Sequence, residues 1–475
     1  MTEDLAYLSA VELGARYRAG GLTPVEVVES ALTRLARLEP LLNAFQRVDA
    51  EGARQAARQS AERWRQGASL SPLDGVPVTV KDTLLAKGWP TLQGSRTVEV
   101  AQSWREDAPE VARLRAAGAV LLGKTTTPEF GWKALTDSPL KGATRSPWNP
   151  EITPGGSSGG AAAALAAGIG ALALGTDGGG SIRIPSSHCG LFGFKPSWGR
   201  VPHYPHKSPF STVISGGPLA RSVRDAAVML NELAKPDPRD VTALPYEKRD
   251  WCDGLEDGIK GLRIAFAPGL GGAEPRDAVL QPVREAVRLL GELGAAVAEA
   301  GGIIDPLQPL FEPYWLAGFA HTLRQIPRDR HELLDPRFRL LAEQGLAVGL
   351  EAYCAGAMAR LHLAERLQAF HADYDLLVTP VLPTPPPPVT TPYHSAGYDR
   401  WRDAVPYALP FNLAGNPAAS LPCGVTEDGL PVGVQIAGPR FADALVLRAS
   451  RALEQALRWP MPHPLLEARL ARLVA

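Results

Sequence analysis

Two glycine-rich loops, residues 155–160 and 175–185, carry Ser157 and Ser181, which stand 24 positions apart. Each glycine loses much backbone freedom on folding and buries no side chain, so packing alone does not explain such a density. The residues between the loops are mostly apolar, and they predict a buried helix over 160–169 and a strand over 171–174. We therefore expect the loops to bring backbone close to a ligand at the ends of buried elements.

Helix and strand patterns alternate along the rest of the chain. A capping box at Thr23, followed by a proline, predicts the start of an amphipathic helix. Apolar runs predict strands over 75–80 and 119–123 with a helix over 107–117 between them, and the alternation returns over 262–297. This pattern predicts an α/β fold with a mixed, mostly parallel central sheet that helices cover on both faces.

Residues 1–475 are predicted to form one large domain. Two stretches are less regular: residues 236–260 are polar and turn-rich, and residues 305–405 combine helical segments with a proline-rich run. The four consecutive prolines at 385–388 indicate a stiff surface connection within the domain.

The composition excludes several classes of protein. A formal net charge of −1 gives no electrostatic reason to expect nucleic acid or an anionic membrane as a partner. The first residues are acidic, and no apolar run is long enough to span a bilayer, so we expect a soluble cytoplasmic protein. The four cysteines form no CxxC pair, which predicts free thiols, and no metal or cofactor is expected.

Ser181 is the candidate nucleophile. Three glycines precede it, and their backbone N–H groups, free of side chains, suit an oxyanion hole beside a reactive hydroxyl. A glycine turn with an N-capping serine is the structural alternative. Phosphate binding is disfavoured because neither loop has the GxxxxGK[ST] or the GxGxxG pattern.

A serine nucleophile needs a base, and the nearest histidine is a poor candidate. His188 lies in a segment that predicts a packed turn, and the GxSxG elbow is absent. Lys81 follows the apolar strand 75–80, and burial there favours its neutral amine, which can accept a proton. An ordinary solvated lysine at a strand end is the alternative.

Three segments together carry a resemblance to a known family. Residues 75–82 (GVPVTVKD), 155–160 (GGSSGG) and 175–185 (GTDGGGSIRIP) resemble the amidase signature family. Further matching segments extend over about residues 5–460, with the signature core at about 70–225. Such a long, ordered set of motifs is highly specific.

The resemblance implies a Ser–cis-Ser–Lys triad. In it Ser181 is acylated, Ser157 bridges after a cis peptide, and Lys81 is the neutral base. Backbone N–H groups of Gly178, Gly179, Gly180 and Ser181 itself would form the oxyanion hole. Supporting roles fall to Ser158, Thr176, Asp177 and Arg183, of which the last two are expected to form a charge pair that fixes the loop.

The implied activity is hydrolysis of a small-molecule carboxylic amide to an acid and ammonia or an amine. The A subunit of a tRNA-dependent amidotransferase is an alternative, but Val405 stands where that protein has an acidic residue that binds glutamine. Asp403 is close enough in sequence for a register shift to restore that acid. A catalytically silent binding homologue is a third alternative, and the oligomeric state stays open, with a homodimer among the options.

Aromatic residues are candidates for the substrate pocket. Their rings suit an acyl or aryl group, although each also fits an ordinary core position. The predicted pocket residues are Phe130, Trp132, Tyr314, Trp315 and Tyr407, with Phe210 and Phe319 as further candidates.

Overall fold

The computed structural model describes residues 5–306, 311–390 and 405–473. Its β-strands are short, and most are buried on both faces. Within the described residues the strands are β1 (Phe45–Val48), β2 (Pro77–Lys81), β3 (Val120–Thr125), β4 (Asp137–Ser138), β5 (Gly142–Ala143), β6 (Leu172–Asp177), β7 (Phe192–Lys195), β8 (Ser215–Ala220), β9 (Arg263–Phe266), β10 (Ala296–Glu299), β11 (Leu376–Pro380), β12 (Ala418–Val425) and β13 (Pro431–Ala437).

Helices connect most of these strands. The predicted capping box opens one of them: Thr23 Oγ1 accepts from the Glu26 N–H at 3.3 Å, and the Glu26 carboxylate accepts from the Thr23 N–H at 2.8 Å. The α-helices of the described residues are α1 (Ala10–Ala19), α2 (Pro24–Leu42), α3 (Ala50–Arg65), α4 (Pro109–Ala116), α5 (Gly159–Ala166), α6 (Arg183–Cys189), α7 (Val223–Leu233), α8 (Asp277–Glu292), α9 (Glu312–Arg324), α10 (Pro336–Gly345), α11 (Leu350–Asp373), α12 (Leu409–Leu413), α13 (Asp443–Leu457) and α14 (Pro464–Leu473).

Eleven of the strands form one sheet in the order β1-β3-β2-β6-β8-β7-β12-β13-β11-β9-β10. Parallel pairs lie in two groups, β3-β2-β6 and β11-β9-β10. The strands between these groups pair antiparallel. A tight turn at Thr426 connects β12 to β13, so these two strands run in opposite directions. The predicted mixed sheet in an α/β fold is confirmed, but parallel pairing does not extend through its centre.

Both faces of the sheet are covered. Successive residues of a strand point to opposite faces, and on β3 Leu121 joins one hydrophobic cluster while Val120 and Leu122 join another. The first cluster packs under α4, α7, α8 and α13, and the second packs under α2 and α5. Near the other end of the sheet, α9, α10 and α11 enclose a third cluster, rich in aromatic residues.

The regular elements lie close to their predicted positions. The helix and strand between the glycine loops are α5 and β6, and residues 236–260 contain no helix or strand. The alternation predicted over 262–297 consists of β9, α8 and β10. No helix in the described part of the chain combines the length and apolar character of a membrane span.

Candidate active site

Strands β2 and β6 bring the predicted site residues to one edge of the sheet. The two strands are parallel neighbours, so Lys81 at the end of β2 lies beside Asp177 at the end of β6. Open α/β sheets bind ligands at this carboxyl edge. The first glycine loop leads into α5, and the Ser158 N–H donates to the Ser181 carbonyl at 3.1 Å. The two loops are therefore joined directly.

Lys81 is buried beneath the loops and contacts both of them. Its Nζ lies 2.7 Å from Ser157 Oγ and donates to the Thr176 carbonyl at 3.1 Å. Exclusion of water lowers the pKa of Lys81 to about 7, although the Asp177 carboxylate opposes this shift. The neutral amine is therefore accessible near neutral pH, in hydrogen-bond contact with a hydroxyl.

Ser157 and Ser158 take different positions in the first loop. The peptide bond between Gly156 and Ser157 is cis, and Ser157 lies at the wall of the cavity described below. Ser158 is fully buried, and its Oγ donates to the Thr176 carbonyl at 3.3 Å. The same carbonyl thus accepts from Ser158 and Lys81, so Thr176 links the first loop to Lys81.

Asp177 and Arg183 form a fully buried ion pair, with 2.9 Å between Asp177 Oδ1 and Arg183 Nη2. Burial raises the pKa of the Asp177 carboxyl, but the Arg183 charge and the hydrogen bonds outweigh burial, so the pKa lies below its usual value. Arg183 also donates to Ala408 O, Gln435 Oε1 and Asn412 Oδ1 at 2.9, 2.7 and 2.6 Å. The pair therefore fixes the second loop against α12 and β13.

We expect Asp177→Ala to lower the free energy of unfolding by about 3–5 kcal/mol, because the change leaves the Arg183 charge buried without its partner. Urea denaturation followed by circular dichroism measures the loss. Glu285→Ala is the control, since it breaks an ion pair to Arg288 on the protein surface and should change stability far less. Equal losses in the two variants would contradict the structural role of Asp177.

One of the predicted oxyanion donors, the Gly180 N–H, is not free to bind an oxyanion in the structure. The Gly180 N–H donates to Asp177 Oδ1 at 2.7 Å, so it is already engaged. Gly178, Gly179 and Ser181 line the cavity. Gly180 has φ +114°, and a Cβ there would lie 2.6 Å from Ile184 Cδ1, so only glycine fits. Gly180 therefore has a structural role in the loop, and the N–H groups of Gly178, Gly179 and Ser181 remain as candidate oxyanion donors.

The loops open onto a cavity of about 570 Å³. Its aromatic wall comes from widely separated segments, and the rings of Trp132 and Phe319 meet edge to face with centroids 6.2 Å apart. Of the predicted pocket residues, the cavity is lined by Phe130, Trp132 and Trp315, and by the further candidates Phe210 and Phe319.

Two predicted pocket residues are not part of this wall. Tyr407 is fully buried, and its hydroxyl donates to the Pro268 carbonyl at 2.5 Å. The Tyr314 hydroxyl lies 3.2 Å from Thr212 Oγ1. Both phenols are held by polar partners in the protein interior, so they are core residues and the prediction for them is corrected.

Phe338 and Gly131 are among the residues of this site that the sequence did not predict. Phe338, at the start of α10, lines the cavity and packs against Phe130 with centroids 5.2 Å apart, and no motif marks it. Gly131 lies directly beside the bridging serine, since a Cβ there would be 3.3 Å from Ser157 Oγ. Gly131 directly follows Phe130, a predicted pocket residue, and that position was the available signal.

His188 is packed, as the sequence predicted. It lies in α6, and neither ring nitrogen has a hydrogen-bond partner among the described residues. Burial lowers the pKa of His188 to about 3, which makes the ring a weak base. Its position and its pKa both disfavour a role in activating Ser181.

The chain is similar to known proteins over most of its length. Residues 26–447 match the family model described as Amidase. An acylamidase from Rhodococcus erythropolis is 36% identical over 477 residues, covering 98% of both chains. The A subunit of the glutamyl-tRNA(Gln) amidotransferase from Chloroflexus aurantiacus is 36% identical over 492 residues, covering 98% of this chain and 99% of that protein.

A solved structure also matches nearly the whole chain. The crystal structure of a bacterial aryl acylamidase of the amidase signature family superimposes with a TM-score of 0.91 and 31% identity, covering 98% of this chain and 99% of that one. The likeness in sequence and in structure extends over nearly the whole chain. The chain therefore belongs to the amidase signature family and is an amide-hydrolysing enzyme.

Proposed function

We propose that the protein hydrolyses carboxylic amides to an acid and ammonia or an amine through an acyl-enzyme on Ser181. The contact of 2.7 Å between Lys81 Nζ and Ser157 Oγ, in a loop joined to the Ser181 loop, carries this proposal. The aromatic wall of the cavity and the acylamidase relatives support N-acyl aryl amides as the first substrates to examine.

In the proposed acylation step, Ser181 Oγ attacks the amide carbonyl and passes its proton to Ser157, whose own proton goes to the neutral Lys81 amine. The backbone N–H groups of Gly178, Gly179 and Ser181 stabilise the oxyanion. When the C–N bond breaks, Ser157 donates a proton to the leaving amine and regains one from Lys81. Water then attacks the acyl-enzyme and gives its proton to the same relay, which returns a proton to Ser181 Oγ when the acyl C–O bond breaks and the acid leaves.

A fluorophosphonate tests the nucleophile directly, because its phosphorus reacts with an activated serine hydroxyl. We expect one adduct per chain, which peptide mass spectrometry should locate on Ser181. Turnover of short aliphatic amides, aryl amides, peptide amides and glutamine, read as ammonia or amine release, then defines the substrate class. A chain without adduct and without turnover would be a silent binding homologue and would overturn the proposal.

The pH dependence tests Lys81 as the base. Only the neutral amine accepts a proton, and burial lowers the pKa of Lys81 to about 7. We expect kcat/KM for a neutral aryl amide to rise with pH below this value and to level off above it. Initial rates measured between about pH 5.5 and 9.5 check the profile. A profile that is flat from about pH 6 to 9 would contradict a lysine base.

The glutaminase component of an amidotransferase is the second candidate function, because such proteins are as similar in sequence as the acylamidase. Val405 is fully buried and apolar, which disfavours binding of the glutamine ammonium at that position. Asp403, the alternative acid, lies outside the described residues. Efficient release of ammonia from glutamine, with poor turnover of aryl amides, would favour the amidotransferase.

A further inference from the structure

The segment between β7 and β8 forms one wall of the cavity through His203, Tyr204, Lys207 and Ser208. Two carboxylates hold this segment. His203 Nδ1 lies 2.8 Å from Oε1 of the fully buried Glu110. Asp240 accepts from the His203 N–H at 2.8 Å and lies 3.0 Å from His206 Nε2. Neither acid is among the described residues that line the cavity.

The described lining of the cavity contains basic side chains but no carboxylate. These basic side chains are Lys133, His203, Lys207 and His321. Lys133 Nζ is neutralised by Asp335 and Asp137 at 3.0 and 2.8 Å. His203 pairs with Glu110. A lining that offers basic groups and aromatic walls but no carboxylate suits an organic anion better than a cation.

Lys207 differs from the other cations of this wall. No carboxylate among the described residues lies within ion-pair distance of its Nζ, whereas Lys133, the other lysine of the described lining, has two such partners. Burial is the main cause of the lowered pKa of Lys124, and repulsion by the nearby Lys207 charge adds to it. An anion placed at Lys207 would relieve this repulsion and gain a charge-assisted hydrogen bond.

We propose that Lys207 is a specificity-determining residue that binds a carboxylate of the substrate, so that the enzyme prefers amides carrying an anionic group. This inference rests on the proposed function, because it assigns the substrate class of the same site. The aromatic wall takes the hydrocarbon part of the substrate, and Lys207 takes its carboxylate. Amides with an ammonium group meet like charge and are poor substrates.

Two pairs of isosteric substrates test the preference, since a nitro group matches the shape of a carboxylate without its charge. On the amine side the pair is 4-acetamidobenzoate and 4-nitroacetanilide. On the acyl side it is the succinyl and 3-nitropropanoyl amides of one aniline. We expect the wild-type enzyme to show a lower KM for the carboxylate member of at least one pair.

Substitution of Lys207 should remove that preference. We expect Lys207→Met to raise the KM ratio of carboxylate to nitro substrate by about ten- to a hundredfold, as for loss of a hydrogen bond to a charged group. Lys207→Arg should keep most of the preference. Lys248→Met is the matched control, because it removes one exposed ammonium outside the cavity lining. An unchanged ratio in Lys207→Met, or no wild-type preference in either pair, would overturn the inference.

Binding separates this inference from the proposed function. In Ser181→Ala, which cannot form the acyl-enzyme, calorimetry compares the affinities for 4-acetamidobenzoate and 4-nitroacetanilide. A carboxylate preference that disappears on adding Lys207→Met supports the role of Lys207 even if the wild-type chain hydrolyses neither compound. The opposite result is that the wild type hydrolyses both compounds, Ser181→Ala binds them with equal affinity, and KM is equal within both substrate pairs. That result would overturn the inference and leave the proposed function standing.

Discussion

Ser181→Ala is expected to lower kcat/KM for an N-acyl aryl amide by roughly a millionfold, the scale found when a serine hydrolase loses its nucleophile. Without Oγ no acyl-enzyme forms, and Ser157 and Lys81 have no proton to relay. The side chain is half-buried at the cavity wall, so its removal should leave the fold intact. Amine release measured at saturating and at low substrate gives the loss, and circular dichroism checks the fold.

Ser186→Ala is the matched control for this change. Ser186 lies on α6, five positions from Ser181, and its buried Oγ has no hydrogen-bond partner among the described residues. Removing an unpartnered hydroxyl is close to neutral for stability, so this variant should keep most of its activity. Substantial turnover by Ser181→Ala, or an equal loss in the two variants, would remove Ser181 from the proposed mechanism.

Lys81→Met is expected to lower kcat/KM by roughly a hundred- to ten-thousandfold, the usual contribution of a general base. Methionine fills much of the same buried volume but accepts no proton from Ser157. Steady-state rates above pH 8 give the clearest comparison, because wild-type Lys81 is then neutral. The pH dependence that the wild type shows near pH 7 should disappear from the residual activity.

Two further variants separate proton transfer from charge and packing. Lys81→Arg keeps a permanent cation that cannot act as a base, so it should be as inactive as Lys81→Met. Lys195→Met removes another fully buried lysine whose pKa burial also lowers to about 7, but its Nζ donates to the Pro196 carbonyl. This variant should lose much less activity. An active Lys81→Arg variant would assign Lys81 an electrostatic role instead.

The central part of the site could be predicted because its residues lie in continuous motifs at the ends of buried elements. Lys81 directly follows an apolar strand, and a helix and a strand separate Ser157 from Ser181, so sequence order and sheet geometry place them together. The ion pair between Asp177 and Arg183 was predictable for the same reason, since the two residues flank the loop they stabilise.

The cavity wall could not be predicted in this way, because it is assembled from segments far apart in sequence. Phe338 and Lys207 line the same cavity, yet no local pattern distinguishes them from core or surface residues. Tyr407 and Tyr314 looked like pocket residues, but the partners that hold their hydroxyls come from other parts of the chain. The hydrogen bond from the Gly180 N–H to Asp177 depends on the conformation of the loop, which the amino-acid composition does not reveal.

The position of β12 and β13 in the sheet bears on how the molecule is made. These strands are translated after all the others, yet they lie between β7 and β11, so in the described sheet they alone connect β9, β10 and β11 to the strands made first. Gln435, which holds Arg183 behind the nucleophile loop, lies on β13. A nascent chain that already carries Lys81, Ser157 and Ser181 therefore lacks the support for its active site. Catalytic competence therefore requires synthesis to pass β13, and a fragment ending before residue 418 should be inactive although it contains Lys81, Ser157 and Ser181.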